Sequence, residues 1–262
     1  MKRSSGARLS ATVAVSLLSL ALVTGCSDSG ADDSADSGNP GGSKGSGSSS
    51  SAPAAEAPTA AELEKLLLAQ GEVKGYKVTS GDATLPKSKA AVKTDKAECD
   101  PLAWAGAALP PGDTDASAGN SVAEDKASTA TAQPEDIEDA FDIDMTYVGL
   151  SSYEGDGAQQ AVKAVSDGVS ACSGGFALAA GGEKTKVTKV AAEKGSGLGD
   201  ESVAFAEDVD MDGEGTATFH TEVVRKGSTV ATFYTVNFAA LGSGETAEIP
   251  AAVVEAQIAK LK

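Results

Sequence analysis

Thr59-Ala60-Ala61-Glu62 has the form of a capping box, and Leu63, Leu66 and Leu67 follow it at helical spacing with Gly71 beyond them. A first helix is predicted there. Residues 73–79 and the residues around Leu85 read as short strands, and Asp100-Pro101 caps and starts a small helix that carries Leu102 and Trp104. Residues 109–120, rich in Pro, Gly and Asp, read as a loop. Phe141, Ile143, Met145 and Tyr147 alternate with polar residues, the period of a half-buried strand whose other face meets water. From Asp156 to Cys172, Ala158, Ala161, Val162, Val165, Val169 and Cys172 recur at helical spacing. Asp156 with Gln159 resembles a cap at its start, and Gly174-Gly175 ends it. Strands are predicted at residues 185–191 and 202–206, and a hairpin pairs residues 216–224 with 229–239 through Arg225-Lys226-Gly227-Ser228. Pro250 in a first turn opens a closing helix with Val254, Ile258 and Leu261 on one side. Paired strands without regular βαβ alternation predict an α+β fold: an antiparallel β-sheet packed against helices in one globular domain, residues 59–262. No internal repeat is visible.

The pattern before that domain is of another kind. Lys2, Arg3 and Arg8 precede the uncharged residues 9–23, too short a run to span a bilayer comfortably. Val23-Thr24-Gly25-Cys26 then resembles a bacterial lipobox. Residues 1–25 are therefore expected to be a lipoprotein signal peptide, with Cys26 carrying the acyl chains that tether the chain to the extracytoplasmic face of the cell membrane. Residues 27–58 are almost wholly Ser, Gly, Ala, Asp and Pro, so residues 26–58 are expected to be a disordered linker. Such a stalk would hold the domain roughly 30 Å from the lipid head groups.

Charge removes whole classes of partner. The 262 residues include 21 Lys+Arg against 38 Asp+Glu, a formal net charge of -17. Loss of the signal peptide would take away three basic residues and no acidic one. No basic face can form for a phosphate backbone, so no nucleic acid is expected as a partner. One His and three Cys cannot build a structural zinc site, and His220 is the only imidazole available as a general base.

If Cys26 is lipidated, Cys99 and Cys172 remain, an even number in an oxidising compartment. A disulfide between them is the natural assignment; two free buried thiols, or one nucleophile, are the competing readings. Asp208, Asp210 and Asp212 with Gly213 match the opening of a calcium loop, but its twelfth position is Phe219 where a bidentate Glu is needed. A solvated acidic turn is the preferred reading and no metal or other cofactor is assigned, although Glu214 or Glu222 could complete a calcium site. His220 lies in a strand without a GxSxG elbow, and is expected to be a surface or packed histidine. Residues 195–200, with Gly195, Gly197 and Gly199, lack a P-loop Lys and read as a flexible connection. Asp200 and Glu201 are adjacent in a strand and are expected to point to opposite faces. Trp104 reads as a core anchor.

The lipobox, the Ser/Gly stalk, LLLAQGEVKGYKV, AECDPLAWAG, VSACSGGF, LGDESVAF and EVVRKGSTVATFYTVNF together resemble the extracellular sensor-domain family named after the mycobacterial receptor Ser/Thr kinase PknH. The family recurs in stand-alone actinobacterial lipoproteins, and the resemblance covers residues 59–262. It implies an antiparallel sheet with helices against it and a cleft for an unidentified ligand. The kinase's domain carries more than one disulfide where only one can form here, so the cleft's shape is expected to differ. No kinase motif is present, and any signal must pass through a partner. The expected function is a non-catalytic sensor or ligand-binding module whose partner is an unidentified small molecule, lipid or envelope protein. The alternative is an envelope carrier of a lipid or other hydrophobic ligand, which requires a large apolar cavity. A hydrolase would need two carboxylates facing one pocket, one with a raised pKa.

Overall fold

The computed structural model describes residues 56–81, 85–114, 116–126, 142–213, 215–242 and 246–261. The expected signal peptide, the lipidation residue Cys26, nearly all of the linker, and Phe141 lie outside the described residues.

Nine strands among the described residues form one antiparallel sheet: β1 (Tyr76–Ser80), β2 (Val92–Thr94), β3 (Ser117–Glu124), β4 (Asp144–Ser152), β5 (Phe176–Ala180), β6 (Glu183–Glu193), β7 (Glu201–Asp210), β8 (Thr216–Lys226) and β9 (Thr229–Asn237). Their order across the sheet is β1-β3-β4-β9-β8-β7-β6-β5-β2. Four α-helices accompany them among the described residues: α1 (Ala60–Leu66), α2 (Asp100–Ala105), α3 (Gly157–Ala171) and α4 (Ala251–Lys260). The α+β architecture expected from the sequence is the one observed.

Both faces of the sheet are covered, because successive side chains of a strand point to opposite sides. Val223 and Val230 join the core under α2 and α3, while their neighbours Val224 and Ala231 join the core under α1 and α4. This double cover corrects the reading of β4 as half-buried. Tyr147 faces one side, Val148 and Leu150 face the other, and all three are buried. A disulfide joins Cys99, just before α2, to Cys172, at the end of α3, with Cα atoms 5.9 Å apart.

The ends of α1 show how tertiary partners override a local pattern. Its capping box forms, with the Thr59 N–H donating to Glu62 Oε2 at 2.8 Å. The helix stops at Leu66, short of Gly71, since polar side chains elsewhere satisfy the backbone that follows. Gln257 Nε2 on α4 donates to the Leu66 carbonyl at 2.9 Å, and its Oε1 accepts from the Leu68 N–H at 3.1 Å. Lys260 Nζ donates to the Leu67 carbonyl, and Asn120 Nδ2 to the Leu68 carbonyl. Gln70, in the released segment, turns back on the outer edge of β1. Its Oε1 accepts from the Val78 N–H at 2.9 Å and its Nε2 donates to the Tyr76 carbonyl at 3.4 Å.

Other expectations need correction. Leu85 lies in a bend; the short strand is β2, seven residues later. Residues 117–120 open β3 instead of continuing a loop: small side chains gave no apolar period, yet the backbone pairs with β4 throughout, and from Asn120 onward with β1 as well. Strand β5 follows the Gly174-Gly175 turn. Asp156 is the N-cap residue of α3 but makes no side-chain capping bond, and Pro250 is the N-cap of α4 and not part of its first turn.

Candidate functional site

Register across the sheet builds a polar stripe on the face shared with α2 and α3. Ser121 on β3 lies opposite Tyr147 on β4, Tyr147 opposite Tyr234 on β9, and Tyr234 opposite Thr221 on β8. Thr221 faces Phe205 on β7, and Glu207 follows one step along the same side of β7. The Tyr147 and Tyr234 rings stack with centroids 6.1 Å apart, and Phe219 tilts against Tyr234 at 5.7 Å.

Glu207 is only 7 % exposed, and its Oε1 has no hydrogen-bond partner. Thr221 Oγ1 and Trp104 Nε1 are also buried without a partner. Burial pushes the Glu207 carboxyl up to about 7. Burial also raises Tyr234, and the neighbouring Glu207 and Tyr147 add to that shift by disfavouring a phenolate. An unsatisfied carboxyl in a core is costly enough to call for a proton, a water or a ligand group.

Local backbone brings α2 onto this stripe. A Cβ on Gly106 would stand 3.4 Å from Glu207 Oε2 and 3.8 Å from Thr221 Oγ1. The chain then leaves α2 in a Schellman-type turn, with the Leu109 N–H donating to the Trp104 carbonyl and the Ala108 N–H to the Ala105 carbonyl. Ala108 occupies the left-handed position at φ 53°, where glycine is the usual residue. Its carbonyl rests on Gly149, whose hypothetical Cβ would lie 2.2 Å from that oxygen. The same turn walls a cavity of about 250 Å³ together with Leu85, Pro86, Ser117 and Gly119.

On the opposite face His220 Nδ1 meets Glu193 Oε2 at 2.8 Å, while its Nε2 is buried without a partner. The nearby hydroxyl of Ser196 donates to Glu222 Oε1 at 2.6 Å, so the hydroxyl is committed to a carboxylate and not to the imidazole. Residues 195–199 are pinned, not flexible. Ser196 N also donates to Glu222 Oε1, and Gly199, at φ 73°, packs on the Arg225 carbonyl. Asp200 and Glu201 converge on one guanidinium, contrary to the opposite-face expectation, because Asp200 precedes β7. Arg225 Nε donates to Glu201 Oε2 at 2.8 Å and Nη1 to Asp200 Oδ2 at 3.2 Å.

Asp208 and Asp210 lie on β7 and Asp212 in the turn beyond it. Asp208 Oδ1 accepts from Thr218 Oγ1 at 2.8 Å, and Asp210 Oδ1 from the Gly213 N–H at 3.0 Å. No group of three or more His, Cys, Asp or Glu among the described residues is placed to hold a metal ion. Trp104 is half-buried against the disulfide-side core, with Lys89 Nζ 3.8 Å above its ring. Another cavity, of about 580 Å³, is lined by Glu124, Lys126, Asp142, Asp144 and Asn237, a charged surface and not the apolar chamber a lipid carrier needs. Glu207 meets half of what a two-carboxylate hydrolase requires; the groups beside it are hydroxyls and rings. Among the described residues, no helix is long and apolar enough to cross a membrane.

Sequence reasoning passed over Glu207, Thr221 and Tyr234 as site residues. One signal was there. Val203, Phe205, Glu207 and Val209 form a period-2 series in which a carboxylate takes an inward position.

No protein-family model matches the chain, and no curated protein matches it. Among solved structures it is similar to the extracellular domain of PknH from Mycobacterium tuberculosis, at 13% identity and a TM-score of 0.43, covering 78% of this chain and 95% of that one. It is also similar to a putative uncharacterized protein from Mycobacterium smegmatis, the Rv0999 ortholog, at 15% identity and a TM-score of 0.32, covering 77% of this chain and 94% of that one. The first of these is the domain after which the family resembled in the sequence is named.

Proposed function

We propose that the chain is an extracytoplasmic, non-catalytic sensor or ligand-binding module of the cell envelope, anchored through lipid on Cys26, and that the stripe around Glu207 receives its ligand. The observation that carries this reading is the buried Glu207 carboxyl, left without a partner beside the equally unpartnered Thr221 hydroxyl. Polar groups of that kind are kept where a bound molecule completes them. The basic start, the apolar run and Cys26 support the address, and the resemblance to the PknH sensor-domain family supports the role. A polar ligand is preferred over a carried lipid because the groups without partners are a carboxyl and a hydroxyl.

The test is native mass spectrometry of the full chain extracted from a bacterial membrane, alongside a Glu207→Gln, Thr221→Val variant. An acylated N-terminal Cys26 and a small molecule retained by the parent chain alone would support both halves. A processed but unacylated chain sinks the anchor, and equal retention by the variant sinks the site.

A further inference from the structure

The composition of the stripe narrows what it takes, on the premise that it is the ligand site. A neutral hydrogen-bonding molecule can satisfy the Glu207 oxygen but does nothing for the cost of ionising a buried carboxyl. A cation turns that cost into an attraction. Among the described residues no Lys or Arg hydrogen bond or ion pair reaches Glu207: Lys89 is engaged by the Trp104 ring, the Gly112 carbonyl and Asp113, and Arg225 by Asp200 and Glu201. A positive charge to pair with the ionised carboxyl would therefore have to come from outside. Three aromatic rings lie on the same face, Tyr147 and Phe219 each against Tyr234, and the electron-rich faces of such rings attract ammonium groups. Thr221 Oγ1 adds a free acceptor for an N–H. A formal charge of -17 draws cations toward the molecule before any specific contact is made. Phe219 and Tyr234 are half-buried, so this end of the stripe meets solvent.

We propose that Glu207, Thr221 and the rings of Phe219, Tyr234 and Tyr147 form a binding site for an organic ammonium group, the charged end of a small polar molecule, and that its arrival ionises Glu207. The carboxyl proton passes to solvent as the ammonium takes its place, and no covalent bond changes. The ionisable group facing Glu207 is the Tyr234 phenol, with the Tyr147 phenol beyond it against Tyr234. The other elements packed there bring uncharged residues: Gly106 from the end of α2, Phe219 and Thr221 from β8, and Val190 from β6. Asp100, at the start of α2, is taken by Thr94.

Because Glu207 holds its proton below about pH 7, affinity should fall about tenfold for each pH unit below that point and level off above it. The experiment is isothermal titration calorimetry of the full chain with ethylammonium and tetramethylammonium at pH 5, 6, 7 and 8 and constant ionic strength. At pH 6 the heat measured in buffers of different ionisation enthalpy should report close to one proton released per ammonium bound. Glu207→Gln, a neutral isostere whose melting curve checks folding, should bind at least tenfold more weakly at pH 8 and without pH dependence. Phe219→Leu should weaken tetramethylammonium more than ethylammonium. Absence of binding at pH 8, affinity equal at pH 5 and 8, or unchanged binding by Glu207→Gln overturns the ammonium site. If a retained molecule without an amine is lost on Glu207→Gln, the sensor reading stands and only the ammonium inference falls.

Discussion

Burial alone holds the Glu207 carboxyl up to about 7, against 4.5 for the free side chain. The folded chain keeps a proton there that the unfolded chain gives up, so the direction of the pH dependence is fixed. Below pH 4.5 both states are protonated and the contribution to stability is whole. As pH rises from 4.5 to about 7 the unfolded state alone ionises, and on the order of 3 kcal/mol is lost. Glu207→Gln removes this group from the titration. Urea unfolding from pH 5 to 8 should show the parent losing stability more steeply than the variant, and parallel profiles would mean that Glu207 already ionises freely. Asp200 works with the opposite sign: the Gly227 amide N–H holds it below the usual carboxylate range, so its contribution is present at neutral pH and fades only in acid. Its exposure keeps that contribution small.

At the scale of elements, two joints hold the layers. Gln257 is fully buried and ties α4 to the end of α1 through both amide atoms. Gln257→Leu leaves an N–H and a carbonyl unmatched, and should cost about 2 kcal/mol in chemical denaturation. A loss below about 0.5 kcal/mol would show that water replaces the amide without penalty. Gly149 is the second joint, because the Ala108 carbonyl lies where its side chain would be. Gly149→Ala should destabilise by about 2 kcal/mol and shift the backbone amide resonances of residues 106–110. Unperturbed resonances there would refute the close approach. The long apolar periods of α3, the β8–β9 hairpin and α4 were legible in the sequence because each buries a continuous stripe. Strand β3 was not, since Ser117 and Gly119 take strand form from pairing with β4, and Asn120 and Ser121 from pairing with both β1 and β4, not from their own preferences. The stripe around Glu207 was hidden for a related reason. Its members come from five strands, and only register sets them in line.

For the whole molecule, the Cys99–Cys172 bridge closes a sequence separation of 73 residues across the α2–α3 side. In the chain-entropy model such a closure is worth about 4 kcal/mol. A double Cys→Ala variant should show a loss of that order, provided it folds. Both sulfur-bearing residues are fully buried, so dithiothreitol should leave the native chain oxidised and act only in denaturant. Rapid reduction under native conditions would contradict that burial. The sheet's outer edge at β1 has a different consequence. An open strand edge invites a neighbouring copy to extend the ladder, and β1 presents five residues of it. With Gln70 already seated on Val78 and Tyr76, the molecule carries its own stopper, and dense arrays of copies can stand side by side without zipping into fibres from that edge.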